Sequence, residues 1–260
     1  MKRLPLLLLN TLTLLGALYV NYFFASGAGG RQTAGEISDQ YPTLLTPAGY
    51  VFSIWGLIYL LLTGFVVYQW LDYAKKRRGE SLEESGLWFS LANVFNGLWI
   101  VVWTNEYLGL SVLVIGLLLF CLIQLVVRLR LEIWDAPIKV ILFVWWPICI
   151  YVGWVVLAAL VNISVFISYN ELLSGVLSSQ TLTVILLVAS VFPYIFLTFS
   201  RNMREASLVG AWGIFGIVYK QWNTNVEIAI ISLVVIGILL LTSGYHAYKN
   251  QSTSPFIKRK

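Results

Sequence analysis

Long apolar runs alternate along the chain with short polar segments, and the runs have the length of membrane-crossing helices. The first is Leu4 to Phe24. A second begins near Thr46 and continues to about Trp70. Others occupy about 86–104, 108–127, 138–161, 181–200, 207–219 and 226–247. A helix needs about 20 mainly apolar residues to cross the hydrocarbon core, and most runs meet that length. The period-2 alternation of a membrane barrel is absent. The pattern therefore predicts an all-α polytopic membrane protein with about eight transmembrane helices, the seventh being short.

Local signals refine the ends. Lys2 and Arg3 precede the first run, and Ala25-Ser26-Gly27 follows it, as around a signal-peptide cleavage site. A run of about 20 residues is nevertheless longer than the usual apolar region of such a signal, so a retained helix is expected. A polar, Gly-containing segment from about 25 to 45 comes next, with the character of a lid. Thr46 is placed to cap the second helix, with Pro47 at its first position, where a missing N–H costs nothing.

Composition agrees with a membrane chain. Of 260 residues, 59% are apolar and 11% charged, with a mean hydropathy of +0.81. A soluble domain carries about 25% charged residues. The net charge of +5 could suggest nucleic acid, but the basic residues sit in short clusters between apolar runs, which reads as topology. Cytoplasmic loops hold the Lys and Arg. With eight spans and the N-terminus inside, 15 of the 17 Lys and Arg fall on the inner side. These are Lys2, Arg3, Lys75, Lys76, Arg77, Arg78, Arg128, Arg130, Lys139, Arg201, Arg204, Lys249, Lys258, Arg259 and Lys260; only Arg31 and Lys220 fall outside. Adding or removing one internal span would collapse the bias. The expectation is a multi-pass protein of the plasma (inner) membrane with both termini cytoplasmic, partnered by the lipid bilayer and by no nucleic acid.

Candidate chemistry is sparse. Asp and Glu lie in loops or near the ends of runs, which disfavours a proton pump built on buried carboxylates. No Ser–His–Asp set, HExxH or phosphate loop is legible, so no catalytic residue is assigned. His246, at the end of the last run, reads as interfacial. Cys121 and Cys149 lie within apolar runs as small buried groups, without metal spacing, and no metal ligand is assigned.

Aromatic residues are the positive signal: eleven Trp and fourteen Tyr. Trp70, Trp134 and Trp222 suit an interfacial belt, whereas others line up inside the runs. Phe52, Trp55 and Tyr59 share one helix face, as do Asn96, Trp99 and Trp103, and as do Tyr151, Trp154, Ala158 and Asn162. An indole N–H or amide in hydrocarbon must find a partner, so these stripes point into the bundle. They either bind helices together or line an aromatic, uncharged cavity for a flat apolar ligand. Spacing leaves both readings open.

At these residues the chain resembles the tryptophan-rich sensory protein family, also called the translocator protein or TspO/MBR family. Its second-helix signature, P-x-W-V-F-x-x-x-W-x-x-L-Y, is similar to Pro47 through Tyr59, with Tyr50 in place of the first Trp and one residue fewer between Phe52 and Trp55. Asn96 and Trp99 match the third-helix signature Q-L-x-L-N-x-x-W, with Ala92 at the Gln position. Tyr151, Trp154, Ala158 and Asn162 match the fifth-helix pattern, with its proline displaced to Pro147. The resemblance covers about residues 1–165 and implies a five-helix bundle there, leaving 166–260 as a three-helix C-terminal extension. It implies binding of a tetrapyrrole-like planar molecule, by a sensor or carrier, at Phe52, Trp55, Tyr59, Asn96, Trp99, Trp103, Tyr151, Trp154 and Asn162. No cofactor is required by this reading; a porphyrin or haem-like ligand is its expected occupant, and a homodimer is left open. The alternatives are a secondary transporter for a small neutral solute and, less favoured, a membrane enzyme modifying a tetrapyrrole or lipid. Two segments, Leu71 to Lys75 and Leu241 to Lys249, fit a loose sterol motif and read as snorkelling anchors. The sequon beginning at Asn162 is expected on the outer side.

Overall fold

The computed structural model describes residues 3–76, 80–134 and 136–251. Among the basic residues that set the charge bias, Lys2, Arg77, Arg78, Lys258, Arg259 and Lys260 lie outside the described residues, as do Asp135 and the side chain of Glu80. The described chain is helical and contains no strand. A long helix stands at each of the eight expected places: α1 (Arg3–Ala25), α2 (Ile54–Ala74), α3 (Trp88–Thr104), α4 (Leu108–Arg128), α5 (Trp146–Tyr169), α6 (Ser179–Arg201), α7 (Arg204–Gln221) and α8 (Val226–Lys249). Six spans are long and apolar enough to cross a membrane. The other two helices are α3, of 17 residues, and α7, of 18. At 1.5 Å per residue they reach about 26–27 Å, just short of the ~30 Å hydrocarbon core. The protein is a polytopic helical membrane protein.

Two compact units divide the chain: Met1–Ala34 with Ser53–Val152, and Gly35–Phe52 with Gly153–Lys260. The division between Val152 and Gly153 falls within α5, which therefore contributes residues to both.

In the first unit α1 packs on α3 and α2, and α3 packs on α4. The sequence of α1 sorts cleanly into two faces. Asn10, Leu14, Ala17 and Asn21, at steps of four, three and four, are buried, while Leu8, Leu12, Leu15, Tyr19 and Tyr22 are exposed. An exposed stripe this apolar is stable only against lipid, and the inward polar groups must then satisfy one another. They do so: Asn10 Nδ2 donates to Gln69 Oε1 of α2 at 3.1 Å, and Ser90 of α3 donates to Asn10 Oδ1 at 2.6 Å. Trp70 adds a bond from its indole N–H to Thr11 Oγ1 at 3.0 Å. Such interhelical bonds average about 0.6 kcal/mol each in membrane bundles. Gly27, with φ of 81°, ends α1 in the left-handed region, and the Arg31 guanidinium then stacks over Phe23 and Phe24.

The start of the second helix differs from expectation. Thr46 does not cap it; its hydroxyl accepts from the backbone N–H of Thr43 at 2.9 Å. A 3₁₀ turn, Gly49–Ser53, intervenes, and α-helical geometry begins only at Ile54. The fifth helix carries a similar departure. Residues Ile138–Val140 form a single turn, and Ile141–Trp145 widen into a π turn before α5. Pro147 supplies the reason, since it lacks an N–H and its ring crowds the carbonyl four residues back.

In the second unit α6, α7 and α8 pack on one another. Gly210, Gly213 and Gly216 form a stripe on α7, and each meets a side chain where its own Cβ would stand: the Tyr194 ring, Leu157 and Val51. Removing side chains in this way lets neighbours approach the backbone closely. Tyr194 uses that approach to donate its hydroxyl to Gly153 O at 2.8 Å. The segment before α2 lies along the same glycine stripe, with Ala48 N–H bonded to Gly216 O at 3.0 Å. Gln221 donates to Leu44 O at 3.2 Å, and Lys220 pairs with Asp39. His246, in the last turn of α8, is buried against Phe199, ring centroids 5.6 Å apart.

A Cβ at Gly153 would stand 2.8 Å from Ala206 Cα and 2.9 Å from its carbonyl oxygen. Both are backbone atoms that cannot swing aside. Gly153→Ala is expected to cost about 1–3 kcal/mol, read as a lower melting temperature in detergent; an unchanged melt would contradict this packing.

Candidate functional site: an aromatic cluster around Asn96

The first unit brings six of the nine expected site residues together. Trp55 is the centre. Its ring stacks on Tyr59 at 5.5 Å and 20°, meets Trp99 at 5.7 Å and 33°, and meets Tyr151 edge-on at 5.9 Å and 75°. Trp99 continues the stack onto Trp103 at 6.2 Å and 14°. These separations are those at which aromatic pairs attract beyond their buried area. The rings touch one another, and Trp99, Trp103 and Tyr151 are almost fully buried.

Helical spacing explains the convergence. Trp55 and Tyr59 stand one turn apart on α2, and Asn96, Trp99 and Trp103 descend one face of α3. Trp103 is fixed at its far end, donating its indole N–H to Ala34 O at 3.2 Å, which anchors the start of the polar segment that follows α1.

Asn96, 1% exposed, is the polar group within this cluster. Its Oδ1 accepts from Asn21 Nδ2 of α1 at 2.8 Å and from the Tyr59 hydroxyl at 3.3 Å. Tyr151 lies close enough to interact with it, but the two do not reach hydrogen-bonding geometry. The amide nitrogen of Asn96 has no hydrogen-bond partner among the described residues. An amide nitrogen carries two donors, and leaving a buried donor unpaired costs about 1–3 kcal/mol. The cluster is thus uncharged, and the Asn96 amide within it is held through its oxygen by α1 and α2.

The other three expected residues belong to the second unit. Phe52 meets Trp154 edge-on at 5.8 Å, and Trp154 approaches the glycine stripe at Gly213. Asn162 turns its amide back onto Ala158 O of its own helix at 3.1 Å. It is buried, so the sequon it begins is not presented to the outside.

Asn21 is the polar neighbour of Asn96 that the aromatic motifs do not reveal. Its signal was present nonetheless: Asn10 and Asn21 are the two amides of the first apolar run, and eleven residues is three helical turns, so they share a face.

A model of the TSPO-like protein family matches residues 7–245. The chain belongs to that family. The match extends through α6, α7 and most of α8, beyond the segment where the quoted motifs lie. No curated protein and no solved structure matches the chain.

Asn21→Leu removes the bond that fixes Asn96 from α1 and leaves Asn96 Oδ1 with Tyr59 alone. The expected loss is about 1 kcal/mol of stability, seen as a reduced melting temperature with changed tryptophan emission from the cluster. Emission and melting both equal to the parent would refute the coupling.

Proposed function

We propose that this TSPO-like protein binds a planar hydrophobic small molecule, of the tetrapyrrole class, at the aromatic cluster of its first unit, and acts as a sensor or carrier for it. The observation carrying the reading is the unpartnered amide nitrogen of Asn96, buried among Trp55, Tyr59, Trp99 and Tyr151. A flat ligand would exchange ring-on-ring contacts for ring-on-ligand contacts of the same kind. A carbonyl or carboxylate on its edge would satisfy Asn96. Family membership supports the same reading.

Porphyrin titration of the purified protein tests this directly. Saturable quenching of tryptophan fluorescence is expected, and Trp55→Phe or Asn96→Ala should weaken binding about tenfold, equivalent to ~1.4 kcal/mol. Unchanged fluorescence at tens of micromolar porphyrin would overturn the reading.

We further propose that both termini face the cytoplasm of a plasma-type membrane. The two exceptions to the charge bias support this, since each has a local partner that supplies a reason for its position. Arg31 lies over two phenylalanine rings, and Lys220 is paired with Asp39. Because Cys121 and Cys149 are both buried, cysteines introduced at exposed positions report cleanly. In intact cells a membrane-impermeant thiol reagent should label Ser26→Cys and spare Lys75→Cys; the opposite pattern would reverse the topology.

A further inference from the structure

A second site lies in the first unit, at the end of α2 remote from the aromatic cluster. Tyr68 and Asp72 stand nine and thirteen residues beyond Tyr59, about 14–20 Å along the helix axis. Here a cavity of about 240 Å³ is lined by Tyr68, Asp72, Ser81, Glu84 and Arg130, with Trp134 and Trp145 among its other walls. Drug-sized ligands occupy pockets of roughly 300–1,000 Å³, so this one suits a headgroup-sized molecule rather than a macrocycle.

Its lining is divided chemically. Two carboxylates, Asp72 and Glu84, share it with three aromatic rings. Trp134 and Trp145 meet at 5.5 Å and 86°, giving two walls at right angles, and Tyr68 is backed by Phe143 in a stack at 6.0 Å. Carboxylates beside aromatic faces are the surroundings an ammonium cation favours. The second half of the lining asks for the opposite charge. Arg130, exposed at the same cavity, adds a cation suited to phosphate.

We propose that this cavity binds a phosphoammonium zwitterion, with the ammonium at Asp72, Glu84 and the aromatic walls, and the phosphate at Arg130. The cavity lies where α2 gives way to Lys75 and Lys76, the level at which phospholipid headgroups sit, and a soluble phosphoammonium compound presents the same groups.

The test uses the full-length protein in detergent. Native mass spectrometry compares retention of dioleoyl phosphatidylethanolamine with that of dioleoyl phosphatidylglycerol, which lacks the ammonium. Calorimetry with phosphoethanolamine tests the soluble source. Retention of the ethanolamine lipid alone supports the proposal with a lipid occupant, and binding of phosphoethanolamine supports it with a soluble one. In either case Glu84→Gln and Trp134→Ala should weaken binding about tenfold, the scale of losing one charged partner. Trp134 is exposed enough for its removal to leave the fold intact. Equal retention of the two lipids with no phosphoethanolamine binding, or affinities unmoved in folded variants, would overturn the proposal.

Discussion

The hydrogen bonds that α1 makes through Asn10 and Asn21 are the constraint on which the first unit depends. In hydrocarbon, apolar surface gives no preference for a protein neighbour over a lipid tail, so helix association must come from packing and polar pairing. Asn10 reaches Gln69 and Ser90, and Asn21 reaches Asn96. These contacts fix the rotation of α1 relative to α2 and α3, and with it the side from which Asn96 is held. The aromatic cluster inherits its geometry from that arrangement, since Tyr59 and Trp99 are placed by the same helices.

Asn96 is therefore structural and chemical at once. Its oxygen accepts from Asn21 and Tyr59, while its nitrogen has no hydrogen-bond partner among the described residues. One amide is thus a joint through its acceptor, and the proposed function would use its donors.

Much of this was legible in the sequence because membrane burial is written in composition. Apolar runs located all eight long helices, and the spacing of Trp55 with Tyr59 and of Asn96 with Trp99 and Trp103 gave their shared faces. What the sequence hid were departures from ideal helix. Pro47 looked like a first helical residue, yet the chain takes a 3₁₀ turn because Ala48 and Val51 are drawn to Gly216 instead. Pro147 read as a displaced motif residue, and its local effect is a π turn whose position depends on a backbone clash rather than on pattern. Asn162 matched a motif, and its amide also bonds Ala158 on the preceding turn. His246 read as interfacial because it stands near the end of a run; packing against Phe199 also buries it.

The glycine stripe of α7 has a consequence for how the protein is made. A segment with Arg204, Glu205 and Lys220 near its ends, and glycine at 210, 213 and 216, offers lipid little reason to accept it. Its stability in the membrane comes from Tyr194, Leu157 and Val51 filling the places its own side chains leave empty. The partners on α5 and α6, and the segment before α2, are all synthesised before α7. It therefore meets a groove already built from earlier parts of the chain, so the order of synthesis matches the order in which its insertion becomes favourable.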